Sequence, residues 1–579
     1  MRTPRSQVPT PWALRPVSDS DQLSALCRES NIHPLVGQIL LRRGIVDPEP
    51  ALKFLQPRLE NLYDPFQLHG MEAAVERIIS ALEKGERIVV SGDYDVDGMT
   101  SSALLADFLT QAGCTDLEVF IPNRFDHGYG LTARTVEALQ ALKPQLVVTV
   151  DNGITAIEEV AQLQASGVDT IITDHHLPRD AGVPPGVVVN PRQSICSYPF
   201  EGISGVGVAF KLVSALRKVL RDKGWWNDAR PEPNLKDALD LVAIGTVADV
   251  VPLLDENRVL VAHGLDVLNR PNRRPGIAAL AEVSRARDPL SARTIAFQLA
   301  PRLNAAGRMQ EGSLGVALLR SKDPQEAAQL AQRLDEENSK RREREDEMVR
   351  DALAQIREED LDQQSAIVVA SPDFHEGIIG IVAARLVERY QRPAVVLAEN
   401  SGGLKGSIRS VPGVHVTEAL NACADLLPEY GGHAGAAGCK LDMVDLEQFR
   451  KRFSEACAGQ AGSNGGVEPL WLEGRLDPAT LDGSLVEQLQ QLEPFGQEND
   501  RPLFLLETSA IPEEPKKIGE NHLKWILPGG AEMVAWKKAG KINPGDDLQF
   551  RVSLGFNEFR GVRKVQLTVE DFRPTAPLV

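Results

Sequence analysis

Between Arg87 and Asn190 one rhythm repeats: a short run of β-branched and other apolar residues, a polar turn, then a longer mixed stretch. The runs are RIVVS, LEVFIP, QLVVTV, DTIIT and GVVVN. Short apolar runs bounded by turn residues predict strands, and the stretches near 99–112, 131–142 and 154–166 predict helices. Strand–helix alternation with short loops means βαβ units and a parallel sheet. In such a sheet ligands bind outside the carboxyl ends of the strands. Further on, LKDALDLVAIGTVAD reads as a buried helix running into a loop, with Asp249 at its end.

The pattern changes at 335–347, where DEENSKRREREDE holds no apolar residue. A helix polar all round bridges domains through solvent. Glu336/Lys340, Glu337/Arg341 and Arg342/Asp346 stand at i,i+4 spacing to support it. Residues 364–460 return to an α/β pattern, with strands AIVVAS and PAVVLA around the helix IIGIVAARLVERY. GLKGSIRS and a glycine-rich loop, YGGHAGAAG, follow. From about residue 467 the pieces LWLEGRL, PLFLLETS, LKWIL, LQFRVSLGF and KVQLTVEDF predict a small β-barrel. GQAGSNGG at 459–466 reads as the linker into it.

A chain of 579 residues suggests about three or four domains. No apolar run reaches the ~18 residues of a membrane span, and the N-terminus has no apolar signal region. The six cysteines form no CxxC pair, which fits reduced thiols in a cytoplasm and argues against a zinc ribbon. A net charge of -18 speaks against a general nucleic-acid binder. Its distribution is uneven: from Asn269 to Arg308 eight arginines face two acids. Such a stripe is either a phosphate track or a solvated arginine-rich face.

The candidate chemistry sits where the strands end. Asp93, Asp95 and Asp97 follow the first strand, DNG (Asp151 to Gly153) the third, and DHH (Asp174 to His176) the fourth. Three carboxylates this close stay ionised together only in water or around a cation. DYDVDG begins like an EF-hand loop, but position twelve is Leu104 where that loop needs a bidentate glutamate. No GxxxxGK[ST] phosphate loop is present. An acidic turn without metal remains the alternative. Carboxylates and histidine converging on one sheet edge instead read as a metal site of oxygen and imidazole ligands. Asp249 alone reads as a cap or turn residue. GGHAGAAG reads either as tight packing or as backbone N–H groups approaching a phosphate beside His433.

Taken together, DYDVDG, DNG, DHH and GTVADVVPL resemble the DHH phosphoesterase superfamily, and KGSIRS and GGHAGAAG resemble its DHHA1 companion domain. PRLNAAGR at 301–308 narrows the resemblance to the bacterial single-strand-specific 5′→3′ DNA exonucleases. The order of the motifs carries the resemblance, over residues 50–572.

This resemblance implies an α/β fold: an N-terminal segment (1–49), a parallel-sheet DHH catalytic domain (50–320), a long polar connecting helix (321–362), a smaller α/β DHHA1 domain (363–460) and an OB-fold-like barrel (467–579). It implies that Asp95, Asp97, Asp151, His175 and Asp249 hold two divalent ions, Mn²⁺ or Mg²⁺, with catalytic positions Asp93 and His176 beside them. Asp151 lies between the other ligand-bearing strand ends and is the expected bridge. Arg124, Arg302, Asn304 and Arg308 are expected phosphate contacts. Ser407, Arg409 and His433 are the expected pocket for a 5′ phosphate. Among the barrel's aromatic residues, Trp525, Trp536 and Phe556 are candidate stacking surfaces for single strands. The implied partners are single-stranded DNA, a single-stranded-DNA-binding protein and a helicase, with a role in repair and recombination. Two other functions stay open: a phosphoesterase for short oligonucleotides or small nucleotides, and a non-catalytic single-strand-binding scaffold.

Overall fold

Five strands carry the apolar runs into one parallel sheet in the computed structural model, which describes residues 11–16, 20–123, 126–128, 130–308, 312–356, 364–400, 402–461, 469–510, 514–542, 546–559 and 561–578. They are β1 (Ile88–Gly92), β2 (Leu117–Phe120), β3 (Leu146–Val150), β4 (Asp169–Thr173) and β5 (Val187–Val189), in the order β2-β1-β3-β4-β5. Helices cover both faces, and alternation along each strand divides its residues between two cores. Val90, Val148 and Ile171 join the core under α1 (Met71–Lys84), α2 (Val96–Gln111) and a later helix. Val89, Val147 and Ile172 join the one under α3 (Ala133–Ala141) and α4 (Ile157–Ala165). The sheet grows outward from β1 first to β2, then the other way to β3. The crevice between β1 and β3 is therefore the topological switch point, the place where such sheets bind ligands.

Three helices close the crevice: α5 (Gly205–Asp222), α6 (Leu239–Ala248) and α7 (Asp255–Leu268). α6 is buried from Leu239 to Thr246, as its apolar sequence predicts. After α8 (Ala300–Arg308) comes α9 (Pro324–Gln355), 32 residues and about 48 Å long. Here the expectation of a solvent-bridging helix needs correction. Ala331, Leu334, Asn338, Glu345, Met348 and Ala352 are all buried. Their 3-4 spacing continues one inward stripe through the polar run, with Arg341 at the remaining position pairing Glu345 at 2.8 Å. Arg385 pairs the same Glu345 from the next domain at 2.6 Å.

The second α/β unit holds β6 (Ile367–Ser371), α10 (Ile379–Tyr390), β7 (Ala394–Asn400), β8 (Gly403–Arg409), β9 (Glu429–His433) and β10 (Ala436–Leu441), with strand order β9-β10-β8-β7-β6. The expected glycine-rich loop is in fact the β9–β10 hairpin, because its glycines pair across two strands. The C-terminal module has a helix, α11 (Gly483–Gln490), and a six-stranded sheet. Its strands are β11 (Phe504–Glu507), β12 (Lys516–Ile518), β13 (His522–Ile526), β14 (Glu532–Ala535), β15 (Leu548–Phe559) and β16 (Val562–Pro574), in the order β11-β15-β16-β14-β13-β12. LWLEGRL is not one of them, since Leu470–Leu472 pairs with Trp12–Leu14 near the N-terminus. Helices Ser20–Ser30, Pro34–Arg42 and Pro48–Leu55 share a single core with this module.

Candidate metal centre and phosphate contacts

The turn after β1 brings three carboxylates to the switch point. Asp95 caps α2, its carboxylate accepting the Gly98 N–H at 3.0 Å. That leaves Asp97 in the first helical turn, pointing into the crevice. Asp97 accepts the N–H groups of Gly205 and Val206 at 2.7 and 2.9 Å, so the N-terminus of α5 faces it. Only glycine fits at 205, because a Cβ there would stand 2.5 Å from Asp151 Oδ1. Asp151 follows β3 with a left-handed backbone (φ +62°), which turns its carboxylate back over the strand ends. His175 follows β4, and Asp249 is the C-cap of α6.

These side chains meet. His175 Nε2 stands 3.1 Å from Asp151 Oδ1, 3.6 Å from Asp249 Oδ2 and 4.0 Å from Asp97 Oδ2. Asp93, Asp95 and Asp151 also bring one oxygen each within 4.8 Å of one another. Burial and mutual repulsion push the carboxyls up: Asp97 to about 7, Asp249 to about 9, and Asp93 and Asp151 well above the usual range. Burial, with the neighbouring His176 charge, lowers His175 to about 4, which keeps its imidazole neutral.

Among the described residues, Asp93 Oδ1, Asp151 Oδ1, His175 Nε2 and Asp249 Oδ2 are buried without a hydrogen-bond partner. Orphaned buried acceptors are costly, and here several lone pairs share one small volume. Cis ligands of an octahedral ion bound at about 2.1 Å stand about 3 Å apart, close to the Asp151–His175 separation. Oxygen-rich donors with one neutral imidazole fit Mg²⁺ or Mn²⁺.

Asp174, named with the DHH motif but given no role by the sequence, organises the turn. It accepts the N–H groups of Ile154, His175 and His176 at 2.9, 2.7 and 3.1 Å, and the His176 ring lies 2.7 Å from it. Burial would raise Asp174, but the His176 hydrogen bond and both imidazoles bring it below the usual range. Burial would likewise lower His176, but Asp174 carries it up to about 9.

The expected phosphate contacts divide. Arg302 gives its guanidinium to Asp335 (2.7 Å) and the Gln298 carbonyl (2.7 Å), bracing α8 against α9. Asn304 accepts the Val96 N–H at 3.3 Å, beside the acidic turn. Arg308 donates to the Gly377 carbonyl at 3.0 Å, across the gap between the two α/β units. Ser407, Arg409 and His433 come together on the second sheet: Ala436 pairs both His433 and Arg409, and Arg409 Nη1 lies 3.3 Å from Ser407 Oγ. Arg124 lies outside the described residues.

Within the arginine stripe, Arg270 is paired with Asp237, Arg273 with Asp288, and Arg274 with Asp107 and Asp240. A hollow of about 210 Å³, lined by Val250, Ala296, Asn304, Arg308 and Ile381, adjoins Asp249. It shares Val250 and Ala296 with a groove of about 710 Å³ that runs to Phe495, Arg501 and Arg551 of the C-terminal module. Phe297, 67% exposed, stands in that groove. Of the candidate stacking residues, Trp525 is core and Trp536 is half exposed. Phe556 lies under Arg563, 3.6 Å from the ring centroid.

Residues 87–246 match the DHH family, N-terminal domain; 363–459 the DHHA1 domain; and 472–571 the RecJ OB domain. The single-stranded-DNA-specific exonuclease RecJ of Salmonella typhimurium is 38% identical over 572 residues, covering 94% of this chain and 96% of its own. The protein of that name from Escherichia coli is 36% identical, with the same coverage. The crystal structure of RecJ in complex with Mn²⁺ from Thermus thermophilus superposes with a TM-score of 0.81 at 33% identity, over 98% of this chain and 80% of that one. Its complex with Mg²⁺ gives 0.75 at 30% identity. With relatives this similar over nearly the whole of both chains, the chain belongs to the RecJ family.

Proposed function

We propose that the protein is a divalent-metal-dependent exonuclease that hydrolyses single-stranded DNA from the 5′ end to mononucleotides. The observation that carries this reading is the set of orphaned, buried ligand atoms at the switch point: among the described residues, one atom each of Asp93, Asp151, His175 and Asp249 is buried there without a hydrogen-bond partner. Asp95, Asp97, Asp151, His175 and Asp249 would hold two ions, with Asp151 between them. Bound there, Mn²⁺ or Mg²⁺ supplies charge against the phosphate and a water nucleophile at neutral pH. The N–H groups of Gly205 and Val206 hold the Asp97 carboxylate in place. Asp174 fixes the His176 ring at the rim of the cluster, from where the imidazole donates a proton to the phosphate or the leaving oxygen. Asp93 completes the buried floor.

Arg308 and Asn304 line the approach, and Ser407, Arg409 and His433 anchor the 5′ phosphate. The groove past Phe297 leads an unpaired strand from the C-terminal module. We place the protein in a cytoplasm, where its free cysteines stay reduced, working in repair and recombination beside a single-stranded-DNA-binding protein and a helicase. None of its described helices is long and apolar enough to cross a membrane. The test is an end-labelled oligonucleotide with Mn²⁺, offered as single strand, blunt duplex and dinucleotide. Release of nucleotides from the 5′ end of the single strand, with duplex spared, is the expected result. Preference for the dinucleotide, or binding without cleavage, overturns it.

A further inference from the structure

Asp249 hangs from the last turn of α6, its N–H bonded to the Gly245 carbonyl at 2.9 Å. The next residue, Val250, is β-branched, 64% exposed and left-handed (φ +61°). That conformation is strained for such a residue, so the loop needs a hold to keep it. Asn257 of α7 donates to the Pro252 carbonyl at 3.0 Å, and the C-terminal module holds the next residue. Leu253 donates its N–H to the Gln497 carbonyl at 2.9 Å. Its side chain, 2% exposed, abuts Gly496 so closely that a Cβ there would stand 2.6 Å from Leu253 Cδ1.

The turn that presents Gly496 and Gln497 is itself rigid. Gly496 and Asn499 exchange both backbone hydrogen bonds at 3.0 and 3.1 Å. The buried Asn499 amide donates to the carbonyls of Leu492 (2.9 Å) and Pro494 (2.7 Å). Arg258 of α7 pins the same turn from behind. Its buried guanidinium donates to the carbonyls of Phe54, Leu492 and Gln491 at 2.8, 2.9 and 2.7 Å.

We propose that the 492–499 turn of the C-terminal module is a positioning element for Asp249, setting divalent-ion affinity at the metal centre through Leu253. This rests on the reading of Asp249 as a ligand. The module then does more than bind strand, since the turn braces the ligand loop one residue beyond the Pro252 carbonyl that Asn257 holds.

The test uses the full chain, free of DNA, with Mn²⁺ as probe. Affinity is measured by calorimetry and by the loss of the free-ion electron paramagnetic resonance signal, at a temperature where circular dichroism shows every variant folded. Gly496→Val drives a branched side chain at Leu253 and is expected to weaken Mn²⁺ binding about tenfold, the low end for residues that support a ligand from behind. Adding Leu253→Ala removes a similar volume and should restore most of it, a rescue that a merely destabilising change does not give. Asn499→Ala loosens the turn without adding bulk and should act in the same direction, which covers a Gly496→Val protein that does not fold. Asp249→Asn is the reference. If it weakens Mn²⁺ binding while both turn variants bind normally, the positioning role is wrong and the ligand reading stands. If Asp249→Asn itself binds Mn²⁺ normally, the ligand reading falls and the positioning role with it.

Discussion

Asp151 holds a left-handed backbone with a charged side chain buried among like charges. Asparagine tolerates that φ better than other non-glycine residues, so Asp151→Asn isolates the charge from the shape in a way alanine does not. The sign of the stability effect follows from linkage. A carboxyl whose folded pKa is raised above its unfolded value weakens the fold at every pH above the unfolded value. At neutral pH the metal-free variant should therefore melt no lower than the parent. The parent should gain melting temperature with Mn²⁺ by mass action, the variant little or none, and its turnover should fall by several orders of magnitude. Near-normal turnover at saturating Mn²⁺ would remove Asp151 from the bridging place. The meeting of Asp97, Asp151 and His175 was legible in the sequence, because residues that end neighbouring parallel strands share one sheet edge; Asp249, at a helix end, was not legible that way. Asp174 was not, although it stands in the DHH motif itself. Its task is to accept the Ile154 N–H, twenty residues upstream, and no spacing in the motif reveals that partner.

Among the elements, α5 aims its N-terminus at the acidic turn, where two N–H groups and the helix dipole favour negative charge. Its start must therefore lie against the ligands, and Gly205→Ala would push a methyl group into Asp151 Oδ1. Activity at limiting Mn²⁺ should drop at least tenfold with the circular dichroism spectrum unchanged; an unaltered Mn²⁺ dependence would mean that Asp151 has room to yield. The neighbouring groove makes a second demand. Phe297 carries Arg293 over its ring at 5.4 Å and otherwise faces solvent. If bases stack there, Phe297→Ala should cost about 1–3 kcal/mol of single-strand affinity, measured by fluorescence anisotropy in Ca²⁺, with the salt dependence retained. Equal affinity would leave the ring without a role. Strands and helices of the first domain were readable because their apolar periods are local. The pairing of Arg270, Arg274 and Arg302 was not readable in the stripe, because their partners Asp107, Asp237, Asp240 and Asp335 lie tens of residues away and reach them only in the fold. The long helix misled for a related reason, since polar residues at heptad positions can be buried when their partners come from another domain.

At the scale of the whole molecule, the two ends of the chain close on each other. The N-terminal helices carried no recognisable motif, yet they and the C-terminal module form one core. Truncating that module would expose this core and remove the Gln497 carbonyl that Leu253 bonds, so point variants in the full chain are the cleaner probes of its parts. Polarity is the property that belongs to the whole chain, because a metal cluster alone has no preference for an end. It needs a second anchor at fixed distance, and the path to one can be followed through contacts. Arg308, beside the metal centre, holds the Gly377 carbonyl. Three residues on, in the first turn of α10, a Cβ at Gly380 would lie 3.0 Å from Ser407 Oγ and 3.1 Å from Arg409 Nη2. The Ser407–Arg409 pair thus sits against a helix N-terminus, with His433 in register on the same face of the sheet. A guanidinium, a hydroxyl and the positive end of a helix are groups that suit a phosphate. A terminal phosphate, with its extra charge, should be favoured there over a 5′ hydroxyl. Truncating a charged contact of this kind typically costs ~2–5 kcal/mol, so Arg409→Ala should lose more than tenfold of the preference for 5′-phosphorylated substrate. Slow cleavage from the unchanged acidic cluster should persist. The measurement is the rate ratio for the two 5′ ends in the parent and in Arg409→Ala. An equal ratio in both moves the anchor off this sheet and toward Arg308 and the hollow beside Asp249.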